Sequence, residues 1–133
     1  MSKITSYKEL IVWQRAMQAL VMIRDLVNSF PINSQYGIGR EMKRSVVSVA
    51  SNIAEGWGRV GDKSFHYSLT VARGSNYELE TQTIGASMLK LVEKGHKIFG
   101  LIEEVSKMLN ALISKIEKDK SIKKTLIANF YLL

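Results

Sequence analysis

The stretch SVASNIAEGWGR, from Ser48 to Arg59, decides the fold. It lies between two long helical patterns, and it places an amide, an acid and a base in a run that is otherwise small or apolar. Small side chains at helical spacing allow two helix backbones to approach each other closely. The stretch therefore predicts a helix whose small face packs against a neighbouring helix.

The composition is typical of one globular domain. The chain has 133 residues, of which 46% are hydrophobic and 23% charged. It has no cysteine, which excludes a disulfide framework and a thiolate metal site and suits a reducing compartment. The N-terminus lacks the apolar run of a secretory signal, and no run approaches the roughly 20 apolar residues of a membrane span. We therefore expect a cytoplasmic protein without a membrane partner.

Four amphipathic helical patterns follow one another, and no alternating strand pattern interrupts them. They span about residues 7–28, 38–55, 63–91 and 97–118. The breaks between them fall at Pro31 with the polar stretch 33–37, at Gly56, Gly58 and Gly61, and at Lys94-Gly95. Short connections predict an all-α fold, an antiparallel up-down-up-down four-helix bundle over residues 1–118. Residues 119–133 form a basic and apolar tail, which either frays or docks on the bundle or on a neighbouring chain.

The first predicted helix has an unusually wide apolar surface. Its two neighbouring stripes cover about half of the circumference, more than the roughly 100° that a simple surface helix needs. Either one stripe faces the core and a neighbouring subunit covers the other, or the whole arc is one broad core face. The stripes are Leu10, Trp13, Met17, Leu20 and Val27, and Val12, Ala16, Ala19, Ile23 and Leu26.

Capping signals and one glycine refine the helices. Ser6 and Glu9 have the spacing of a capping box, and Asp62 is predicted to cap the third helix. Gly74 falls in the middle of that helix, where glycine costs roughly 1 kcal/mol relative to alanine. It marks either a close crossing against the small face of the second helix or a kink.

A polar network is predicted where the second and third helices cross. Its members are three to four residues apart within each helix, so they share a face. A buried carboxylate needs a partner, and Arg44, Arg59 and Arg73 are candidate counter-charges. The alternative is an exposed polar groove that binds a ligand. The predicted network contains Ser48, Asn52, Glu55, Ser75 and Glu78.

The sequence predicts no catalytic, cofactor or metal residues. Glu93 and His96 have the Glu-x-x-His spacing of di-metal bundles, but glycine interrupts them and no second copy exists. Neither histidine, His66 or His96, has the context of a base aimed at a serine. The glycine-rich stretch 56–61 follows a helix and lacks the Gly-Lys-Ser/Thr ending of a phosphate-binding P-loop.

The net charge of +7, with a pI near 9.7, is compatible with a solvated basic surface or with binding of nucleic acid. The lysines near the C-terminus form a second basic patch. The predicted phosphate contacts are Arg40, Lys43, Arg44, Arg59, Lys63 and Arg73.

Several motifs, in order and at matching spacing over about residues 5–115, carry a family resemblance. They are LIVWQRA from Leu10, Phe30-Pro31, Tyr36-Gly37, Arg44, Ser48, NIAEG from Asn52, Gly58-Arg59, ARGS from Ala72, and Glu78. The chain resembles the bacterial four-helix-bundle family also called S23 ribosomal protein, named for reading frames in intervening sequences of 23S rRNA genes. More distantly, it is similar to the accessory protein of diversity-generating retroelements, a basic pentamer associated with nucleic acid and a reverse transcriptase.

The resemblance implies an antiparallel four-helix bundle that assembles as a homopentamer. It does not by itself imply a ribosomal component. Together with the basic charge, it leads to the hypothesis of a non-enzymatic, homo-oligomeric protein that binds RNA or a ribonucleoprotein. The alternative hypothesis is a protein–protein scaffold without nucleic-acid binding.

Overall fold

The computed structural model describes residues 4–59 and 61–118, and these residues contain helices and no β-strand. Four long helices are joined by short connections, and a five-residue helix precedes the second of them. The helices are α1 (Ile11–Asn28), α2 (Ile32–Tyr36), α3 (Ile38–Gly58), α4 (Asp62–Met88) and α5 (Ile98–Lys118).

Contacts between neighbouring helices show that they run in opposite directions. As residue numbers rise in one helix, the numbers of their partners in the next helix fall. This confirms the predicted all-α four-helix bundle. The pairs are Val27 with Gly39, Ser48 with Ser75, Gly56 with Ser68, His66 with Glu117, and Asn76 with Ile102.

The core consists of two clusters, one at each end of the bundle. The lower cluster surrounds Phe65 near the α3–α4 turn, and the upper cluster surrounds Ile23 near the start of α3. Apolar residues recur at helical spacing in the second and third patterns, which predicts that they face the core, and they are buried. These are Met42, Val46, Val49 and Ile53 on α3, and Phe65, Leu69, Ala72, Leu79 and Ala86 on α4.

Helix α1 buries mainly the second of its two apolar stripes. Val12, Ala16, Ala19 and Ile23 face the core, whereas Trp13, Met17 and Leu20 of the first stripe are only half-buried. The predicted capping box does not form. Ser6 instead accepts a hydrogen bond from Lys8 N–H and caps a 3₁₀ turn, Tyr7–Glu9, that precedes α1.

A short helix, α2, occupies the segment that the sequence analysis interpreted as a polar connection. Gln35 Nε2 donates to the carbonyl oxygen of Phe30 at 2.8 Å, which holds α2 against the end of α1. A Cβ atom at Gly39 would lie 2.5 Å from Val27 Cγ1, so α1 and the start of α3 are in close contact. The α1–α3 corner is therefore tightly packed.

Helices α3 and α4 cross closely at Gly56, and not at Gly74. A Cβ at Gly56 would lie 2.5 Å from Ser68 Cβ and 3.2 Å from Phe65 Cδ1. Gly56 and Gly58 thus belong to α3, which corrects the prediction that they lie in the loop, and Gly61 makes the turn at φ 90°. Gly74 is exposed within a continuous α4, and a Cβ there would contact nothing within 4 Å. The predicted close crossing at Gly74 is therefore wrong, and α4 does not break there.

The C-terminal end of α4 lies earlier than predicted. The helix stops at Met88 because Lys90 adopts a left-handed conformation with φ 63°. Lys90 N–H donates to the Ser87 carbonyl and Leu91 N–H donates to the Ala86 carbonyl, which together form a Schellman motif. Lys94-Gly95 lies in the connection to α5, so it does not end the helix.

Helix α5 buries a stripe that differs slightly from the seam that helical spacing predicts, which is Ile98, Leu101, Val105, Met108, Leu112 and Ile116. Leu101 and Met108 of the seam are half-buried, whereas Ile102, Leu109 and Ile113, which were predicted to flank it, are buried. The C-terminal tail, residues 119–133, lies outside the described residues.

Candidate nucleic-acid interface

Three members of the predicted polar network meet where α3 and α4 pack together. The hydroxyl oxygens of Ser48 and Ser75 are 2.7 Å apart. Asn52 Nδ2 donates to the Ser48 carbonyl oxygen at 2.8 Å and to its hydroxyl oxygen at 3.1 Å. Because these groups bond to one another, they connect α3 and α4 through hydrogen bonds in a partly buried position.

The two carboxylates of the predicted network do not join it. Glu55 is exposed and accepts a hydrogen bond from Arg59, four residues later and directly after the end of α3. That hydrogen bond raises the pKa of Arg59 above its ordinary value. Glu78 is also exposed, at the rim of a shallow cleft of about 180 Å³ that Ser48 and Ser75 help to line.

The first half of α3 carries the clearest group of cations. Arg40, Lys43 and Arg44 line a shallow depression of about 470 Å³ together with Val47 and Ser48. Among the described residues, no carboxylate oxygen lies within 4 Å of the side-chain nitrogens of Arg40 or Lys43, and Glu41 is 3.8 Å from Arg44. These charges remain available to an anionic ligand.

An aromatic ring extends this group. The guanidinium carbon of Arg40 lies 5.6 Å from the ring centroid of Tyr36, within the range of a cation–π contact. Tyr36 is the last residue of α2 and 65% exposed. We call Tyr36, Arg40, Lys43 and Arg44 the upper basic face.

The other three predicted phosphate contacts lie elsewhere. Arg59 follows α3, about 28 Å along the helix axis from Arg40 at 1.5 Å per residue. Lys63 is in the first turn of α4, and Arg73 donates a hydrogen bond to Asn110 Oδ1 on α5 at 3.2 Å. The six residues therefore form an upper group and a dispersed lower group, and not one continuous surface.

Two residues that make notable contacts in the structure have only a weak signal in the sequence. Tyr36 was noted only as part of a motif, although its four-residue spacing from Arg40 was visible. Asn76 is buried and donates from Nδ2 to the Ile102 carbonyl at 3.1 Å, linking α4 to α5. Asn76 could have been found in the sequence, because it is an amide at a position of the apolar stripe between Ala72 and Leu79.

The outer side of α1 borders a concave surface. It is an open groove of about 720 Å³ whose walls are mostly apolar. Val21 is 47% exposed there, and Met17 is half-buried. The groove is lined by Gln14, Met17, Gln18, Val21, Met22, Asp25, Leu26, Ser29, His96 and Lys97.

The histidines have local structural contacts. His96 Nδ1 accepts the backbone N–H of Ile98 at 3.0 Å at the start of α5, and His66 Nε2 is 3.2 Å from Glu117 Oε1. Within residues 4–59 and 61–118, no three His, Asp or Glu side chains come together as a group that could hold a metal ion. The same residues form no helix with the length and hydropathy needed to cross a membrane.

Comparison with protein families gives one match, over residues 8–111, to the family described as 23S rRNA-intervening sequence protein. The match covers more than half of the chain, and the chain belongs to this family. The resemblance seen in the sequence motifs is thereby confirmed. Comparison with curated proteins gives no match.

Proposed function

We propose that this member of the 23S rRNA-intervening sequence protein family is a non-enzymatic homo-oligomer that binds RNA or a ribonucleoprotein. The observation that carries the proposal is the upper basic face, where Arg40 and Lys43 have no close carboxylate among the described residues. RNA is the polyanion we propose, and the family description refers to 23S rRNA. We expect the assembly in the cytoplasm, a reducing compartment that suits a chain without cysteine.

Charge supports the proposed partner. A net charge of +7 on 133 residues produces a positive field that attracts polyanions and accelerates their association. The cations of the upper basic face recur at helical spacing on one side of α3, so they present a row that can follow a phosphate backbone. An ion pair already made within the protein would oppose such contacts, and Arg59 shows that arrangement with Glu55.

The polar groups at the α3–α4 contact support a non-enzymatic role. Ser48, Asn52 and Ser75 are engaged with one another, which suits a structural connection better than a nucleophile and its base. Among the described residues, the exposed Glu55 and Glu78 carboxylates form no hydrogen bond with this connection, so they provide no convergent acid–base pair with it.

The α1 groove supports homo-oligomerisation. Its apolar walls expose parts of Met17 and Val21 to solvent, and covering such a surface with a second copy buries apolar area. We propose a homopentamer, the assembly that the family resemblance implies.

Assembly can be tested with two matched valines. Val21 lies in the α1 groove and Val47 lies on α3, and both are 47% exposed. Light scattering should report smaller particles for Val21→Lys and unchanged particles for Val47→Lys. A monomeric wild-type protein at working concentration would contradict the proposed assembly.

RNA binding can be tested by its dependence on salt. Phosphate contacts release counterions, and three contacts to a single strand give a log–log slope of about −2. Fluorescence anisotropy with labelled RNA should therefore show affinity falling more than roughly tenfold between about 50 and about 200 mM salt. Absence of binding at the lower salt concentration would rule out the proposal.

The α1 groove favours one alternative, a scaffold that captures another protein. An apolar contact is less sensitive to salt than a phosphate contact. A partner retained at high salt, lost with Val21→Lys, and accompanied by no RNA affinity would support the scaffold.

A further inference from the structure

We propose that the upper basic face binds RNA as a single strand, with one base stacked on the ring of Tyr36. This inference rests on the proposed RNA binding and specifies the form of RNA that the face accepts. It depends on an exposed aromatic ring beside Arg40, which has no close carboxylate among the described residues.

Exposure alone does not distinguish Tyr36. Tyr67 is 66% exposed, much as Tyr36 is at 65%. The difference is electrostatic, because Tyr67 lies near an arginine that Glu55 neutralises, whereas Arg40 beside Tyr36 has no close carboxylate within the described residues. A nucleotide at Tyr36 can therefore bring its base to the ring and its phosphate to a cation.

The backbone around Tyr36 is well supported. Gln35, its neighbour in α2, donates to the Phe30 carbonyl, and Gly37 N–H donates to the Asn33 carbonyl at 3.1 Å. Two residues further on, Gly39 packs directly against Val27. The backbone that carries the Tyr36 ring is thus held in place before RNA binds, which reduces the conformational entropy lost on binding.

The cations define the direction of the strand. Arg40 lies over the ring, and Lys43 and Arg44 follow one helical turn later along the same side of α3. A strand whose base stacks on Tyr36 would place its next phosphates beside these side chains. Exposed aromatic rings next to a cationic groove are the general means by which proteins hold single strands without reading their sequence.

A duplex does not fit this arrangement as well. Its bases are stacked inside and paired, so a ring on the protein surface cannot reach a base face unless that base is extruded from the helix. A duplex would still be attracted by the cations, but it would gain nothing from Tyr36. The difference between the two forms of RNA therefore isolates the role of the ring.

The experiment compares Tyr36→Leu, Tyr36→Phe and the control Tyr67→Leu. The probes are a labelled mixed-sequence single-stranded RNA and the same strand annealed to its complement. Tyr36→Leu removes the flat ring but keeps an apolar side chain, and it should weaken single-strand binding roughly tenfold. Tyr36→Phe keeps the ring and should bind nearly as the wild type does, and Tyr67→Leu should have no effect.

Duplex affinity should be the same for all four proteins, and circular dichroism should show equal melting temperatures. Equal single-strand affinity of Tyr36→Leu and the wild type would overturn the stacking inference while leaving RNA binding intact. Equal losses for the two RNA forms would also overturn it. If the wild type binds neither probe at low salt, the proposed function itself fails.

Discussion

The two ends of the α3–α4 pair carry similar residues in different arrangements. At the upper end, a tyrosine and three cations stand beside a shallow depression. At the lower end, Tyr67 and Arg59 also lie near each other, but Glu55 holds the arginine, and Gly56 brings the backbones into close contact. Residue type alone therefore does not decide which end can bind an anion; pairing and packing do.

The largest effect is expected when the three predicted phosphate contacts of the upper basic face are replaced and the other three are kept. Replacing Arg40, Lys43 and Arg44 with Gln should weaken RNA binding roughly a hundredfold and flatten the salt dependence by about two units of slope. Both can be measured by anisotropy titrations at several salt concentrations.

The matched control replaces the other three predicted contacts with Gln. It removes the same charge from Arg59, Lys63 and Arg73, so net charge cannot distinguish the two triple variants. We expect the control to lose much less affinity. Equal losses would show that binding follows net charge, and the distinction between the two ends would fail.

The second prediction concerns close packing at the lower end. Gly56→Ala places a methyl group 2.5 Å from Ser68 Cβ, an atom attached directly to the α4 backbone. The helices must move apart, and we expect the free energy of unfolding to fall by about 1–3 kcal/mol. Urea denaturation measures this change.

Gly74→Ala is the control for that substitution. The added methyl group meets nothing within 4 Å and lies in an exposed helix interior. The variant should gain about 0.5–1 kcal/mol because alanine favours the helix. If Gly74→Ala lowered the free energy of unfolding as much as Gly56→Ala does, close packing at Gly56 would not explain the difference between the two sites.

The third prediction tests whether the hydroxyl contact at the α3–α4 interface is structural. Ser75→Ala removes the bond to Ser48 and should lower the free energy of unfolding by about 1 kcal/mol. RNA affinity should remain within roughly twofold of the wild type. Unchanged stability with a clear loss of affinity would instead place this contact in a binding groove.

The smallest effect is expected when the carboxylate that pairs with Arg59 at the lower end is neutralised. Glu55→Gln removes one negative charge beside Arg59, and we expect RNA affinity to rise roughly twofold. Because both side chains are half-exposed, the melting temperature should not change. A fall in stability would mean that Glu55 supports the structure, as the sequence pattern first indicated.

Periodicity predicted the fold because each long helix buries a recurrent apolar stripe. Phe65, Leu69 and Ala72 show this on α4, where spacing of three and four residues leads directly to burial. The helix ends were harder to predict. The left-handed residue after a helix is usually glycine, so the sequence predicted that α4 ends near Gly95. In the structure Lys90 takes that position, and the helix ends earlier.

The candidate site was only partly predictable, for a different reason. Sequence spacing brought Ser48 and Asn52 together on one face, but it could not show that Glu55 pairs with Arg59 instead of joining them. Which cations lack a close acid partner depends on side-chain geometry across a surface. The distance between Arg40 and Arg59 followed from the length of the helix. That only Arg59 pairs closely with a glutamate could be seen only from the positions of the side chains.

The close contact at Gly39 connects the hydrophobic core to the upper basic face. A larger residue there would push against Val27 and displace the corner that supports Tyr36. In a genetic screen for loss of RNA binding, substitutions at Gly39 should therefore be recovered together with those at Arg40 and Lys43. Such mutants would mimic the loss of a contact residue, although glycine has no side chain with which to touch the ligand.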